Sequence, residues 1–539
     1  MKFHCLLLLF FCAAIFSTDI YAQQRFSSAW HSTPWDSGGV APNSVVWSMY
    51  DKELDMDNDE KKEFLCVTSW SDSFYNVVYL YENSGNNNFE IVWYYSFFGY
   101  SNDYSALTVS DMDGDGKKEI VCFVDPTDSS FHSLYFFEWN GSDNGFPAIP
   151  TATWNLNLPQ AAEEASAIIS GNFDTDAQEE IAVLFQESFV LMKSRVMIFS
   201  LDALSSLDAP VWNIEMNDST TFIYAGYALV ATDLDRDEKK EIVASGWDST
   251  LHIAFFENTG EVNTYTRAAN IWNITNYNDF SNGGFVEANF DNDATNELYV
   301  ASAAGNIFVA TNAGDVSTIT NNNFHPLGQF LDGKGIIGIA NGNADGNNKK
   351  NLYIAGSYHE NIVDWEYNGG DVTNASSYVQ AIAFLDDTTD DVTPNSDQGF
   401  LRPSKIIAGD FDNDGIGDLV FASVSFAFDK PILSFIEFSG QNSVLENYTP
   451  PRVSLFQNYP NPFNPKTEIE FSVFTAGSVT IIIYNVLGKE IETLIKNETL
   501  QSGKYKLQFD GSKLPSGEYY YRLIIDGKVS VTKKMVLLK

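Results

Sequence analysis

The nonapeptide Asp111–Glu119, Asp-Met-Asp-Gly-Asp-Gly-Lys-Lys-Glu, sets acidic side chains at its positions 1, 3, 5 and 9 and runs directly into an apolar segment, Ile120–Val124. The same pattern recurs with first positions at Asp55, Asp111, Asn172, Asp233, Asn289, Asn343 and Asp410, at intervals of 56, 61, 61, 56, 54 and 67 residues. Self-similarity at a period near sixty means a repeat architecture, in which each copy is one supersecondary unit stacked on its neighbours.

Carboxylates packed this closely repel one another unless a cation lies among them, and hard oxygen donors suit Ca²⁺. Repeats one, two, four and seven carry four acids each: Asp55, Asp57, Asp59 and Glu63; Asp111, Asp113, Asp115 and Glu119; Asp233, Asp235, Asp237 and Glu241; Asp410, Asp412, Asp414 and Asp418. Repeat three has Asn172, Asp174, Asp176 and Glu180, and repeat five has Asn289, Asp291, Asp293 and Glu297. Repeat six keeps one acid among Asn343, Asp345, Asn347 and Asn351, so it is expected to bind weakly or not at all. These positions hold 23 of the 72 acidic residues, and seven bound Ca²⁺ would move the formal charge from −41 to −27. Calcium is therefore expected to be structural, coupling metal binding to folding. Mg²⁺ suits the loops less, because it demands stricter octahedral geometry. A plain turn is the competing reading, since Asp, Asn and Gly favour turns; seven copies in phase favour the metal. The sixth loop position is glycine only at Gly116 and Gly415, so the loops with Glu60, Ala177, Glu238, Ala294 or Asn348 there are expected to be less well formed if the turn needs a positive φ.

Each loop is preceded and followed by an apolar strand, as at Ala228–Ala231 and Ile242–Ser245. A third strand follows in every unit, for example Leu134–Trp139. A fourth, often bearing Trp, is read at Glu90–Tyr94, Ala152–Asn155, Pro210–Ile214 and Asn270–Ile274. Four short antiparallel strands repeated radially make a β-propeller, here of seven blades over residues 23–440. The last unit lacks a fourth strand after Ile432–Phe438, while a spare segment, residues 25–32 with Trp30, precedes the first unit. That segment is expected to complete the last blade and to close the ring, removing an exposed sheet edge.

The acidic hairpin loop between two strands resembles the calcium-binding loop of FG-GAP (integrin α-type) propeller repeats. It differs from an EF-hand, whose bidentate Glu stands at position 12 between helices.

With 44% hydrophobic and 14% aromatic residues the chain can bury a substantial core. A net charge of −41 repels nucleic acid and anionic membranes. Residues 1–22 read as a signal peptide: Lys2, an apolar core Leu6–Ile15, and cleavage after Ala22. No later segment is apolar enough to span a membrane. Cys66 and Cys122 occupy the same position in successive repeats and read as core residues, not a disulfide. His31, His132, His252, His325 and His359 share no spacing. An insertion at 357–400 carries Asp386, Asp387, Asp390 and Asp391, a solvated loop or a binding loop.

After a linker at 441–453 the composition changes, and alternating strands at Val479–Asn485, Glu490–Ile495, Gly503–Phe509, Glu518–Ile525 and Lys528–Leu537 read as a small Ig-like β-sandwich over 454–539. Tyr459-Pro-Asn-Pro-Phe-Asn-Pro465, Ile483-Tyr-Asn-Val-Leu-Gly488, Leu514-Pro-Ser-Gly517 and Lys533-Lys-Met-Val-Leu-Leu-Lys539 resemble the type A sorting domain of type IX secretion. The resemblance implies a Bacteroidetes-type Gram-negative source, contact with the type IX machinery, and a secreted or outer-membrane-surface protein.

No nucleophile elbow, zinc-protease helix, phosphate-binding loop or C-x-x-C is present. The all-β chain, a seven-bladed propeller followed by a sandwich, is thus read as a calcium-stabilised binding or adhesion protein for an extracellular protein or glycan. The alternative is a glycan-active enzyme, for example a polysaccharide lyase, on the same scaffold.

Overall fold

In the computed structural model the described residues are 25–32, 45–69, 75–98, 105–124, 133–156, 165–188, 193–219, 224–247, 251–272, 274, 284–293, 295–302, 305–311, 314–329, 336–356, 361–385, 402–424, 433–439, 453–455, 458, 460–473, 477–486, 488–500, 503–525 and 528–539. The expected signal peptide, most of the 441–453 linker and the acidic stretch Asp386–Asp391 lie outside them. The chain divides into two compact units, one of residues 1–328 and 335–445, the other of 329–334 and 446–539.

Among the described residues the first unit holds seven four-stranded antiparallel sheets and no α-helix, an architecture consistent with a β-propeller. Sheet one is Val45–Met49, Glu63–Ser69, Tyr75–Gly85 and Asn88–Phe98, and its strands pair in chain order. Sheets two to six repeat that meander. Sheet seven differs: Arg402–Gly409, Asp418–Val424 and Leu433–Phe438 are completed by Phe26–His31, which pairs antiparallel with Leu433–Phe438, Phe26 opposite Phe438 and His31 opposite Ser434.

The second strand of each sheet is buried on both faces. In Glu119–Val124 every residue is buried, and alternate side chains enter different cores. Ile120 and Cys122 pack with Leu65, Val78 and Phe97 of sheet one, whereas Val121 and Phe123 pack with Ile181 and Phe199 of sheet three. A period of two places successive side chains on opposite faces, so an unbroken apolar strand fits only between two neighbouring sheets. The same sharing joins sheets three and four, four and five, and six and seven. Sheets five and six meet through Phe290, Tyr299, Tyr367 and Tyr378, with the Tyr299 and Tyr378 hydroxyls 2.9 Å apart. Sheet seven packs on sheet one, where Phe435 and Val420 lie with Phe64, Tyr79 and Phe89. Cys66 and Cys122 are free, buried thiols in these cores.

Tryptophan proves an incomplete marker of the fourth strand. In sheets five and six that strand is Phe324–Gln329 and Tyr378–Leu385, without Trp. In sheet four it is Tyr265–Ile271, and Trp272 lies just beyond it, stacked on the buried His252 ring. Any large side chain can cover the outer edge, so residue identity there is loosely constrained.

The second unit has a three-stranded sheet, Val453–Leu455, Lys466–Val473 and Gly503–Asp510, and a four-stranded sheet ordered Glu490–Leu500, Gly477–Asn485, Gly517–Ile525, Lys528–Leu537. Ile469, Phe471 and Phe509 of one sheet share a single core with Ile481, Ile483, Tyr521 and Leu523 of the other. The buried Asn458 fastens the incoming chain: its N–H donates to the Tyr521 hydroxyl, and its amide donates to Pro460 O and Thr467 Oγ1.

Candidate metal centre

The seven acidic loops join the first and second strands of the seven sheets. Their path is set by two left-handed residues. At the fourth position φ lies between 57° and 68° in Asn58, Gly114, Arg236, Asn292, Gly346 and Asn413. At the sixth it lies between 63° and 85° in Glu60, Gly116, Glu238, Asn348 and Gly415. Glu60 and Glu238 thus take the conformation expected to disfavour them, against a strain of roughly 1–2 kcal/mol each. Side-chain hydrogen bonds hold the turn: the third-position acid accepts from the fifth N–H, as Asp235 does from Asp237 at 3.3 Å, and the fifth accepts from the seventh, as Asp115 does from Lys117 at 2.8 Å. In the third loop neither Thr175 nor Ala177 takes a positive φ, yet Asp174 still accepts from Asp176 at 2.8 Å.

The ninth residue turns inward. One oxygen accepts the N–H of the second position: Glu63 from Met56 at 2.9 Å, Glu119 from Met112 at 2.8 Å, Glu180 from Phe173 at 2.5 Å, Glu241 from Leu234 at 2.8 Å, Glu297 from Phe290 at 2.9 Å and Asp418 from Phe411 at 2.8 Å. All six side chains are buried. The second oxygen, Oε1 of Glu63, Glu119, Glu180 and Glu241 and Oδ1 of Asp418, is buried without a hydrogen-bond donor, as are Oδ1 of Asp55, Asp57, Asp233, Asn289 and Asp410. Burial, and then the neighbouring acids, raise the ninth carboxyl to about 8 in Glu63, Glu241 and Asp418, about 9 in Glu119 and Glu180, and about 7 in Glu297.

Several buried acceptors aimed at one point, with no donor, fit a cation. One oxygen from each of Asp55, Asp57, Asp59 and Glu63 lies within 4.8 Å of the others, and the same holds for Asp233, Asp235, Asp237 and Glu241, for Asp111, Asp113 and Asp115, and for Asp174, Asp176 and Glu180. Oxygens on opposite sides of a Ca²⁺ ion would stand about 5 Å apart at its usual bond lengths. The residues present therefore fit the metal in chemistry and spacing.

The sequence reading missed the surroundings of the loops. Lys61, Lys117, Lys239 and Lys349 at the seventh position bridge to a glutamate closing the third strand, Lys61 to Glu82 at 3.0 Å and Lys349 to Glu366 at 2.7 Å. Glu53, Glu179 and Glu287 accept the first-position N–H of Asp410, Asp111 and Asp233 from the neighbouring sheet. In the third loop Glu215 adds a carboxyl raised to about 7 by burial. Glu82 and Glu138 each follow the ninth acid by 19 residues, a signal present in the sequence. Glu53 and Glu287 each stand two residues before the first position of their own loop, a second such signal, whereas Glu215 has no such fixed spacing.

The first strands of all seven sheets line a cavity of about 330 Å³, whose lining also includes Asp51, Lys52, Glu287 and Lys405. Among the described residues no helix is long and apolar enough to cross a membrane.

Residues 457–538 match the family model described as a secretion system C-terminal sorting domain, and residues 55–122 match that of an FG-GAP-like repeat. No curated protein matches the chain. A solved structure, BBS1N in complex with ARL6DN, is similar over 77% of this chain and 98% of that one, at 12% identity and a TM-score of 0.42. The sorting domain implies export to the cell surface or secretion through the type IX machinery. The chain thus carries an FG-GAP-like repeat at residues 55–122 and a C-terminal type IX sorting domain at residues 457–538.

Proposed function

We propose that the first unit is a seven-bladed propeller stabilised by calcium, that an Ig-like sandwich over 454–539 addresses it to the type IX translocon, and that the exported protein binds an extracellular protein or glycan. The observation that carries the calcium reading is the set of buried, donorless oxygens in the loops. Cyclic packing of sheet on sheet, with Phe26–His31 completing the seventh, supports the closed ring.

The central cavity favours binding over catalysis. Its described lining holds two acids, Asp51 and Glu287, beside Lys52 and Lys405, whereas a uronate-cleaving site needs a cluster of cations. The exported protein, incubated with arrayed glycans and surface proteins with and without calcium, should retain a ligand only in calcium. Depolymerisation of any glycan in the same screen would overturn the binding reading in favour of the enzyme.

A further inference from the structure

In most sheets the third-position acid also reaches its neighbour. One oxygen accepts a backbone N–H from the connection between the third and fourth strands of the following sheet: Asp57 from Asn144 at 2.7 Å, Asp174 from Asn263 at 2.6 Å, Asp235 from Val316 at 2.6 Å and, across the closure, Asp412 from Asn87 at 2.7 Å. The sixth loop has no such partner, because the sheet that follows it takes its fourth strand from the other end of the chain. The residue leading into that strand is Arg25. Its guanidinium stands 3.1 Å from Asp345 and 2.5 Å from Asp364, with Glu366 at 3.6 Å, and it is 6% exposed. The Arg25 carbonyl accepts from Ser439 N and Oγ, which pins it beside the end of the seventh sheet.

The acceptors are as exceptional as the donor. Asp364 is fully buried and pairs with Tyr353, two residues beyond the ninth loop position. At that register the other third strands carry Leu80, Phe136, Ile198, Phe255, Val309 and Phe435. A carboxylate in such a place is strongly disfavoured without a paired cation. Asn351, at the ninth position, donates its amide to Asp364 at 2.7 Å where the other loops present an acid. The second-position N–H, of Ala344, goes instead to the Tyr353 hydroxyl at 3.0 Å. Asn351 Oδ1 stays buried without a donor, as the ninth-position oxygens of the other loops do, but three of the four ligand positions here are amides and the one acid, Asp345, is already paired with Arg25.

We infer that the sixth loop takes no metal and that Arg25 is its resident cation, so that the N-terminal strand is an intramolecular ligand locking the seventh sheet to the sixth. The inference rests on the local contacts and holds whether or not the other loops bind calcium. The test uses the full exported chain. Asp345→Asn should leave the calcium stoichiometry, read by metal analysis after equilibrium dialysis, unchanged; loss of one calcium in that variant overturns the inference. Arg25→Met should lower the melting temperature by several degrees in saturating calcium. Arg25→Met with Asp364→Leu, which restores the residue type at Leu80, should recover most of the loss. A melting temperature unchanged by Arg25→Met, or a double variant no more stable than the single one, overturns it. A chain that binds no calcium at all defeats the metal reading of the other loops, yet leaves the comparison of these two variants decisive for Arg25.

Discussion

Removing calcium should destabilise the first unit far more than any single substitution. A site that binds only the folded chain contributes about 2.7 kcal/mol when free ligand is one hundred times its dissociation constant. An unfolding entropy of about 2.1 cal/mol/K per residue over about 415 residues gives roughly 0.87 kcal/mol/K. Each occupied loop is then worth about 3 °C in melting temperature, and six loops roughly 19 °C. Scanning calorimetry in excess calcium and in excess chelator measures the difference directly. Glu119→Ala, which deletes one inward carboxylate, should reduce the calcium-dependent rise by about one site's worth, 3 °C. The pH dependence follows from the ninth-position acids, raised by burial to between about 7 and 9. Without metal, the folded chain binds more protons than the unfolded one above the ordinary glutamate range, so stability should fall as pH rises from about 4.5 to about 9. Saturating calcium displaces those protons and should flatten the profile. A chelator effect smaller than one site's worth, or an unchanged calcium response in Glu119→Ala, would refute the reasoning.

Deleting residues 25–32 removes Phe26, buried at 0% exposure, and uncovers the edge of Leu433–Phe438; light scattering should show aggregation together with a markedly lower melting temperature, and an unchanged melting curve would count against closure. Asn458→Ala strips two side-chain hydrogen bonds from a buried position and should destabilise the second unit by about 1–3 kcal/mol in a denaturant titration. Residues 455–539 fused to a periplasmic reporter should carry it to the cell surface in a type IX-competent host, with no surface delivery as the contrary result.

The period of the acidic loops, their ligand-type residues and the strand-turn-strand pattern around them are local properties, fixed by residue type and spacing, so they could be read along the chain. So could the second unit, whose strand Lys528–Leu537 has the same bounds in sequence pattern and structure. A fourth strand missing at one end and a spare segment at the other are likewise visible as text. The fourth strands Phe324–Gln329 and Tyr378–Leu385 escaped because only shape at an outer edge specifies them. The sixth loop shows the limit most sharply. By sequence it is merely a loop short of carboxylates. Folding brings Arg25 to Asp345 across 320 positions and to Asp364 across 339, and sets a buried acid where the other sheets hold apolar side chains. Sequence spacing determines which groups could bind a cation. Only tertiary packing decides which cation is desolvated beside them, because burial is what turns weak solvated charges into a specific pair.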